Sequence, residues 1–374
     1  MKVAHIITGL STGGAEMMLY RLAKHHQTQG MQALVFSLVS NGELKALFQA
    51  DGIRVIDLGF PRGRFSFSGF LQLIKELRAW KPDLAMCWMY HANVIGGLAA
   101  KIAGGSQVLW SIHHSTLHRK KSSRLTRLVM MTGGILSWLP AKIIFCSETA
   151  RSLHLRVGYQ DSRCVVIPNG FDTELFHPDP GAGVQFKLQH GIPPSKRLIG
   201  IIGRYDPQKD FNTFIKAAEM ISQLEKNVNY LFCGQGLEPD NDELMGLINQ
   251  AGIMGRVHLI GQSSKMAQVY QSLDLLVSSS AYGEAFPMVI GEAMACGVPC
   301  IATDLGDVRL LIGQTGLIVP PENPLAIFHA VMEFLAMPSD EYLQRQNDAR
   351  QRILNNFSLP KIASQYHDLF ERVI

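Results

Sequence analysis

Hydrophobic positions in the first half of the chain alternate between short continuous runs and helical spacings. The runs are rich in β-branched and aromatic residues and predict buried strands. Residues 16–29 carry Met18, Leu19 and Leu22 at the spacing of one inward helical face. The predicted strands are 3–7, 32–38, 54–57, 84–88, 107–112 and 141–145, and the predicted helices are 16–29, 43–50 and 69–80. Strands that alternate with helices indicate parallel βαβ units in a doubly wound sheet.

The alternation stops at residues 169–196 and then resumes. This segment contains four prolines and little periodicity, so it is interpreted as a connection between domains. Beyond it, the predicted strands are 198–202, 229–233, 257–260, 273–278 and 299–302, and the predicted helices are 211–224, 242–251, 287–296 and 360–373. The sequence therefore predicts two Rossmann-like α/β domains, 1–178 and 179–355, and a C-terminal segment, 356–374, that returns to the first domain. Ligands of such sheets bind at the carboxyl ends of strands, and two facing sheets are expected to enclose a cleft.

Composition narrows the class of protein. A chain of 374 residues with 47% hydrophobic and 18% charged residues fits two globular domains and excludes a disordered or fibrous protein. The formal net charge of +4 gives no reason to expect a nucleic-acid partner. Six scattered cysteines without a C-x-x-C pair predict buried, reduced thiols and a cytosolic compartment. Residues 1–8 lack the long apolar region of a signal peptide.

The strongest motif is a pair of glutamates, Glu284 and Glu292, around a predicted helix start. Pro287 suits the first turn of that helix, and Gly297 suits its end. A helix that begins after a strand offers free backbone N–H groups to an anion. Glu284 can then accept hydrogen bonds from sugar hydroxyls, and Glu292 from a ribose diol. For a bare pair at this spacing, two surface glutamates would be the ordinary interpretation.

The residues around this pair resemble the signature of family 4 of the retaining GT-B glycosyltransferases. They read Gly-Glu-x-Phe-Pro and Glu-Ala-x-Ala-x-Gly-x-Pro, and the resemblance extends over residues 3–370. It implies the GT-B fold and transfer of a sugar from a nucleotide donor with retention of anomeric configuration. It also implies that Glu284 is catalytic and that Ala285, Phe286 and Glu292 bind the donor. Members usually have glycine where this chain has Ala285, so a positive φ there would strain the alanine.

A second motif, Gly203-Arg204-Tyr-Asp-Pro-Gln-Lys209, follows the first predicted strand of the second domain. An arginine and a lysine five positions apart on one loop can clamp a diphosphate and offset charge on the leaving phosphate. Basic loop residues are more often simply solvated. The resembling family carries the same segment and uses it on the donor diphosphate, which implies donor binding by Arg204 and Lys209.

Two features of the first domain extend the resemblance. Gly13 and Gly14 lie after the first strand at a spacing that differs from the dinucleotide fingerprint. In the family this loop faces the donor phosphates, and a plain strand-to-helix turn is the alternative. The strand 107–112 is followed by His113 and His114, and family members commonly have a histidine there near the donor sugar. The resemblance therefore implies a catalytic role for His113, with His114 as the alternative.

The sequence predicts neither a metal site nor a cofactor, since the nucleotide sugar is a co-substrate. Asp240-Asn-Asp242 superficially matches the Asp-x-Asp of metal-dependent GT-A enzymes, but it falls in a polar loop. Arg204, Lys209 and helix dipoles would take the place of a cation beside the departing diphosphate. The family mechanism is a front-side displacement in which the leaving phosphate helps to deprotonate the acceptor. A double displacement is not distinguished from it by sequence.

The acceptor is expected in the first domain, where a basic segment precedes the apolar stretch 128–138 that ends at Trp138. Its cations are Arg119, Lys120, Lys121, Arg124 and Arg127. A basic amphipathic segment over 119–138 suits an anionic lipid surface, and a solvated helix is an equal alternative. Residues 88–93, Trp-Met-Tyr-His-Ala-Asn, resemble bacterial polysaccharide-assembly members. The resulting hypothesis is a cytoplasmic, peripheral enzyme that transfers sugar from a UDP-sugar to a lipid-linked or cell-envelope polysaccharide acceptor.

Three other functions agree less well with these motifs. A nucleotide-sugar epimerase shares the GT-B architecture, but the glutamate pair with Gly-Arg…Lys is typical of the family 4 transferases. A nicotinamide-dependent oxidoreductase would need a dinucleotide fingerprint with an acidic residue about twenty positions on, which this chain lacks. A sugar-nucleotide-binding protein without turnover is disfavoured because residues competent for catalysis occupy all of the matching positions.

Overall fold

The structure is a computed structural model that describes residues 1–11, 13–113 and 124–374. His114 and the cations Arg119, Lys120 and Lys121 lie outside the described residues, and of Arg124 only the backbone is described. The predictions made for these side chains therefore remain predictions.

Backbone contacts divide the chain into two compact units. The first unit comprises Met1–Gly170 and Leu359–Ile374, and the second comprises Phe171–Ser358. The chain thus enters the second unit at Phe171 and leaves it at Ser358, where the sequence-based boundaries were 178/179 and 355/356. A backbone bridge between Phe171 and Ser358 closes the second unit at its two ends.

The first unit is built from alternating strands and helices. Its strands are β1 (Lys2–Ile7), β2 (Gln32–Ser37), β3 (Arg54–Asp57), β4 (Leu84–Trp88), β5 (Gln107–Ile112), β6 (Lys142–Phe145) and β7 (Cys164–Val166). Its helices up to this point are α1 (Gly14–Thr28), α2 (Lys45–Ala50), α3 (Phe67–Trp80), α4 (Tyr90–Ala103), α5 (Arg124–Ile135) and α6 (Glu148–Leu155). The described strands form one parallel sheet in the order β3-β2-β1-β4-β5-β6-β7.

The core of the first unit lies on both faces of this sheet. Successive residues of β1 point to opposite faces, so that Ala4 and Ile6 belong to one buried cluster and Val3 and Ile7 to the other. A sheet that is buried on both faces explains why its strands appear in the sequence as continuous apolar runs.

The second unit repeats the same architecture. Its strands are β8 (Arg197–Ile202), β9 (Val228–Cys233), β10 (Val257–Gly261), β11 (Leu275–Ser278), β12 (Cys300–Thr303) and β13 (Leu317–Val319). Its helices are α7 (Pro180–Gln189), α8 (Phe211–Leu224), α9 (Asp242–Gln250), α10 (Met266–Gln271), α11 (Met288–Ala295), α12 (Val308–Ile312), α13 (Pro324–Leu335) and α14 (Ser339–Asn356). The parallel sheet has the order β10-β9-β8-β11-β12-β13.

The last helix, α15 (Leu359–Val373), belongs to the first unit. Its inward residues Ile362, Tyr366 and Phe370 join the cluster that also contains Leu19 and Leu22 of α1. These residues recur at helical spacing, so one apolar face of α15 covers the sheet.

Residues 169–196 are more ordered than the sequence indicated. Asp179 accepts a hydrogen bond from the backbone N–H of Ala182 at 3.0 Å, and Pro180 occupies the first helical position of α7. Phe186 is buried, and Lys187 reaches Asp274 at 3.2 Å. Pro180 therefore starts a helix of the second unit within the stretch that was expected to be a connection.

Both sheets have a topological switch point. β1 pairs with β2 on one side and with β4 on the other, and β8 pairs likewise with β9 and β11. The connections on the two sides of β1 therefore run in opposite directions, and so do those on the two sides of β8. This opens a crevice at the carboxyl ends of the strands. Ligands of open α/β sheets bind at such crevices.

None of the described helices is both long and apolar enough to cross a membrane.

Candidate active site

The loop after β8 is folded by two aspartates. The Asp206 carboxylate accepts from the backbone N–H of Gln208 at 2.8 Å, and its carbonyl accepts from the N–H of Lys209 at 2.9 Å. Asp210, with φ 48°, caps α8 by accepting from the N–H of Thr213 at 3.1 Å. These turns leave Arg204 exposed at the start of the loop and bring Lys209 back to the end of β8.

The loop after β11 lies directly against the loop after β8. The Ala281 N–H donates to the Gln208 carbonyl at 2.8 Å, and the Ser279 hydroxyl donates to the Lys209 carbonyl at 2.9 Å. Since β8 and β11 flank the switch point, these bonds join the two loops at the ligand-binding edge of the second sheet.

Lys209 and Glu284 form a close ion pair at this edge. The Lys209 Nζ donates to Glu284 Oε1 at 2.6 Å, and the Ser280 hydroxyl donates to the same oxygen at 2.7 Å. The Glu284 side chain is 9% exposed and that of Lys209 is 22% exposed. The pair is therefore largely shielded from water, where an electrostatic interaction is stronger than at the surface.

Glu284 stays ionised despite its burial. Desolvation by itself would raise the pKa of Glu284, but attraction to Lys209 and hydrogen bonds from Lys209, Ser280 and Gln208 outweigh it. The net pKa of Glu284 lies below its ordinary value. The site therefore holds a fixed negative charge whose second oxygen can accept hydrogen bonds from a hydroxylated ligand.

Ala285 occupies its position without a left-handed backbone. It is not among the described non-glycine residues of positive φ, so the strain considered for an alanine here does not arise. The positive φ falls instead on the preceding Gly283, at 81°. Gly306, with φ 56°, packs so closely that an added Cβ would overlap the carbonyl oxygen of Glu284. Ala285 is held by the Asp307 N–H, which donates to its carbonyl at 2.9 Å.

Phe286 lies in an aromatic group and is 4% exposed. Its ring stacks on Phe171 at a centroid distance of 6.2 Å and meets Phe357 edge-on at 5.3 Å. Gly291 makes room for this group, because an added Cβ would overlap the Phe171 ring. The side chain of Phe286 therefore anchors the loop, and any contact with a donor would come from its backbone.

The helix α11 begins one residue later than the sequence suggested, with Pro287 as its N-cap. Pro287 supplies no side-chain cap, so the first backbone N–H groups of α11 receive no hydrogen bond from that residue. Glu292 lies farther along the helix and is 8% exposed. The Tyr270 hydroxyl on α10 donates to Glu292 Oε2 at 2.8 Å, which fixes the orientation of this carboxylate.

The glycine loop of the first unit ends at the start of α1. Gly13 is the N-cap, with φ −152°, and Gly14 is the first helical residue. The side chain of Glu16 folds back over Gly13, where an added Cβ would overlap its Oε2. The acidic group thus lies at the positive end of the helix dipole, where an anionic ligand would otherwise bind.

His113 follows β5 and stacks on Trp88, with a centroid distance of 5.3 Å and an interplanar angle of 18°. Its Nε2 lies 2.9 Å from the Ser111 hydroxyl. The Trp88 indole N–H donates to Nδ1 of the fully buried His5 at 3.2 Å. Burial lowers the pKa of His113 to about 4, so its ring is neutral at pH 7. Trp88 therefore fixes the plane of His113.

The structure brings some of the predicted residues together within each unit. In the second unit, Lys209 contacts Glu284, whereas Arg204 is exposed on the same loop and Glu292 contacts a tyrosine of α10. Ser280, Tyr270, Trp88 and His5 were not predicted as site residues. Ser280 had a signal, since it is the last of three serines at 278–280 before the glutamate motif, and Trp88 begins the 88–93 segment. Tyr270 and His5 are buried residues without a signal.

Asp240 and Asp242 flank the start of α9. Asn241 between them is the N-cap, and its side chain accepts from the Leu244 N–H at 3.1 Å and donates to the Gly236 carbonyl at 2.6 Å. The motif is thus part of a helix start. Across the described ranges, no three histidine, cysteine, aspartate or glutamate side chains come together as metal ligands would.

Two family profiles match the chain, one in each unit. The profile described as Glycosyltransferase Family 4 matches residues 12–175, and the profile described as Glycosyl transferases group 1 matches residues 185–352. The second match includes the Lys209–Glu284 pair and Glu292, and the first includes Gly13, Gly14 and His113.

Among curated proteins, two mannosyltransferases are similar to this chain. The lipopolysaccharide core biosynthesis mannosyltransferase LpsB of Rhizobium meliloti is 29% identical over 184 residues, which cover 47% of this chain and 52% of LpsB. The chain thus spans about half the length of that relative. The phosphatidyl-myo-inositol mannosyltransferase of Mycobacterium tuberculosis is 26% identical over 376 aligned positions, which cover 96% of this chain and 93% of the relative.

Among solved structures, HepE of Anabaena in complex with UDP-glucose has the same fold. It superposes with a TM-score of 0.86 at 22% identity and covers 100% of both chains. The two parallel Rossmann-like sheets and this likeness identify the fold as GT-B. With both units matched by glycosyltransferase profiles, the chain belongs to the GT-B glycosyltransferases of family 4 and group 1.

Proposed function

We propose that this glycosyltransferase moves a sugar from a UDP-sugar to a lipid-linked or cell-envelope polysaccharide acceptor, with retention and without a metal ion. The observation that carries the proposal is the Lys209–Glu284 pair at the switch point of the second sheet, beside the uncapped start of α11. This arrangement offers a cation, a carboxylate and free backbone N–H groups, which are the partners that a diphosphate and a sugar require.

The second unit binds the nucleotide sugar in this proposal. Arg204 and Lys209 hold the diphosphate, together with backbone N–H groups of Ala285, Phe286 and the first turn of α11. Glu284 accepts hydrogen bonds from hydroxyls of the donor sugar, and Glu292 accepts them from the ribose. The Anabaena structure determined with UDP-glucose supports UDP as the nucleotide.

The chemical step needs stabilisation of a leaving diphosphate. Lys209 and Arg204 offset its growing negative charge, which a fixed cation does without reorganisation. The acceptor oxygen attacks the anomeric carbon on the face from which the diphosphate departs. The new C–O bond forms as the bond to the diphosphate breaks, and the acceptor proton passes to a leaving phosphate oxygen. Retention follows from attack on that face.

The first unit supplies the remaining residues of the proposal. The neutral His113 ring donates or accepts one hydrogen bond to a sugar hydroxyl, and Gly13 and Gly14 let the backbone approach a phosphate. Glu16 would have to move from Gly13 before a phosphate could bind there. The acceptor is assigned to this unit as well, at a membrane surface contacted by 119–138. The names of the two mannosyltransferase relatives, one for a lipopolysaccharide core and one for phosphatidyl-myo-inositol, support a lipid-linked acceptor.

The test is release of free nucleotide from UDP-, GDP- and ADP-sugars, with EDTA present and a bacterial lipid extract as acceptor. We expect release from a UDP-sugar, unchanged by EDTA and lost in Glu284→Ala. Glu333→Ala, which removes an exposed carboxylate of α13, is the matched control and should keep full activity. Proton NMR of the product reports whether the anomeric configuration is retained.

Each part of the proposal can fail separately. If no nucleotide sugar released free nucleotide and none raised the melting temperature of the protein, nucleotide-sugar binding would be contradicted. Loss of activity in EDTA would contradict metal independence, and an inverted product would contradict front-side attack. Interconversion of the donor sugar without an acceptor would indicate an epimerase.

A further inference from the structure

A groove of about 760 Å³ runs along the carboxyl edge of the sheet in the first unit. Its walls are the loops that follow β1, β2, β3 and β4, with residues of α5 on one side. Because the strand order is β3-β2-β1-β4, one end of the groove lies at the switch point and the other lies at the outer edge beside β3.

The inner end of the groove carries groups that suit sugar hydroxyls. Glu16 and His91 line it near the switch point, and Glu43 lies on the loop after β2, farther out. His91 is in the first turn of α4, two residues after Met89, whose φ of 70° is strained for a residue with a side chain. Burial lowers the pKa of His91, so that its ring is neutral at pH 7 and able to exchange hydrogen bonds with a hydroxyl.

The outer end of the groove is cationic. Arg62 and Arg64 lie on the loop after β3, on either side of Gly63, whose φ is 71°. Both side chains are exposed, and neither guanidinium forms an ion pair with a described carboxylate. The loop is nonetheless anchored, because the Phe65 ring packs on Phe60 and Phe70 at centroid distances of 5.9 and 5.6 Å. Two exposed arginines on an anchored loop, without an ion pair among the described residues, form a natural clamp for a phosphate.

An apolar stripe begins beside this loop. Leu125 of α5 lines the groove, and its Cδ2 is 4.0 Å from the Cβ that a side chain at Gly63 would have. From there, exposed apolar residues recur three and four positions apart along α5 and the turn that follows it. They are Leu128, Met131, Ile135 and Trp138, which are 62%, 56%, 77% and 57% exposed. Such a stripe of exposed apolar side chains indicates an apolar partner.

We propose that the groove binds the acceptor as a phosphate-bearing lipid, with Arg62 and Arg64 on its phosphate. The chemistry changes along the groove from hydroxyl-binding groups to two arginines and then to exposed apolar side chains. This order matches a sugar, its linking phosphate and a hydrocarbon chain. The inference rests on the proposed transfer to a lipid-linked acceptor and adds the residues that would recognise its phosphate.

The probe must be a single molecule and not a vesicle, because the cations of 119–127 would attract any anionic vesicle regardless of the groove. Farnesyl diphosphate combines an anion with an apolar chain, while farnesol and inorganic diphosphate each supply one part. Binding of all three below their aggregation concentrations is measured by calorimetry. We expect farnesyl diphosphate to bind at least about tenfold more tightly than either part.

Two pairs of substitutions test the residues. Arg62→Ala/Arg64→Ala should weaken farnesyl diphosphate about tenfold or more and leave farnesol unchanged. Arg54→Ala/Arg156→Ala removes the same charge from arginines of the first unit that do not line the groove. It should change neither the affinity for farnesyl diphosphate nor the affinity for farnesol. Leu128→Ser/Ile135→Ser should weaken farnesyl diphosphate and leave inorganic diphosphate unchanged.

The inference would be overturned if farnesyl diphosphate did not bind, or if both arginine pairs weakened it equally. If Leu128→Ser/Ile135→Ser bound farnesyl diphosphate as tightly as wild type, the proposed contact between the apolar stripe and the hydrocarbon chain would be overturned. Binding of UDP-glucose to the wild-type protein is measured separately. If UDP-glucose did not bind, the proposed function would be contradicted, whereas a negative result with farnesyl diphosphate would contradict only the proposal for the groove.

Discussion

The Lys209 ammonium lies 2.6 Å from Glu284 Oε1, although the two residues are 75 positions apart in the chain. They meet because β8 and β11 are adjacent strands and each residue lies on the loop that follows one of them. The cation that would hold the donor diphosphate is thus already held by the carboxylate that would hold the donor sugar. Donor binding then requires Lys209 to be shared between two anions, which keeps both near the reacting bond.

Breaking this pair should destabilise the protein. Lys209→Met leaves Glu284 buried without its countercharge, and we expect the free energy of unfolding at pH 7 to fall by about 2–3 kcal/mol, since Lys209 is partly exposed. Urea unfolding measures the change. Lys216→Met, on the exposed face of α8, is the matched control and should cost less than about 0.5 kcal/mol. An equal loss in both variants would show that the pair does not stabilise the fold.

The same pair predicts how stability depends on pH. The pKa of Glu284 is lowered in the folded protein, so its contribution is complete above the ordinary pKa of 4.5 and is lost as the pH falls through the folded value. Wild type should therefore lose more stability on acidification than Glu284→Gln. In Lys209→Met the attraction and hydrogen bond from Lys209 are lost while those from Ser280 and Gln208 remain, so the pKa of Glu284 should rise relative to wild type and less stability should be lost on acidification. Parallel stability curves for the three proteins would contradict this assignment.

The inner strands of both sheets could be predicted from the sequence because they are buried on both faces, whereas the three-residue edge strands β7 and β13 were not predicted. The runs at 84–88 and 107–112 coincide with the buried strands β4 and β5. The Lys209–Glu284 pair itself was not predicted, although both residues were, because their proximity depends on strand order. Strand order is a long-range property that periodicity does not contain.

For other residues, nothing local in the sequence indicated the hydrogen bond that each one makes. Tyr270 and Trp88 are apolar-type residues in apolar surroundings, where burial is the ordinary expectation. The Tyr270 hydroxyl donates to Glu292 and the Trp88 indole N–H donates to His5, and only these contacts in the structure indicate their roles. The helix α7 was not predicted for a different reason: prolines favour a connection between domains, but Pro180 occupies the first position of a helix.

Tyr270→Phe tests the orientation of Glu292. Removal of the hydroxyl frees Glu292 Oε2 from a 2.8 Å hydrogen bond. If Glu292 binds the ribose, the KM for the donor should rise about three- to tenfold with little change in kcat, as expected from the loss of one hydrogen bond to a charged group. Tyr230→Phe also removes a buried hydroxyl of the second unit, one bonded to the Ala218 carbonyl at 2.9 Å, and should leave KM unchanged. A similar rise in both would mean that the effect is structural.

Gly306→Ala tests the packing around Glu284. A methyl group there meets both a φ of 56° and the carbonyl oxygen of Glu284. We expect kcat/KM to fall about tenfold or more as the Glu284 backbone shifts. Gly252→Ala has a similar φ of 66° with nothing within 4 Å, so it should cost about 1 kcal/mol of stability and no activity. Unchanged kcat/KM in Gly306→Ala would show that the position of the Glu284 backbone does not limit the reaction.

Trp88→Phe tests whether the plane of His113 matters for the reaction. Trp88 donates to His5 Nδ1 and stacks on His113, so phenylalanine removes the hydrogen bond that fixes the stacked ring. We expect kcat to fall about tenfold with the donor KM nearly constant, because a misplaced group raises the barrier more than it weakens binding. Trp110→Phe is the control, since the Trp110 indole N–H has no hydrogen-bond partner among the described residues and the same volume is lost.

His113→Asn separates positioning from packing in the same experiment. If Trp88 acts through His113, Trp88→Phe should have little further effect on kcat once His113 is replaced, because coupled residues are not additive. If the two effects add fully, Trp88 supports the sheet and not the histidine. Urea unfolding of each variant shows how much of any loss of activity comes from unfolding. In Trp88→Phe the fully buried His5 imidazole loses its hydrogen-bond donor, so the free energy of unfolding should fall whether or not kcat changes.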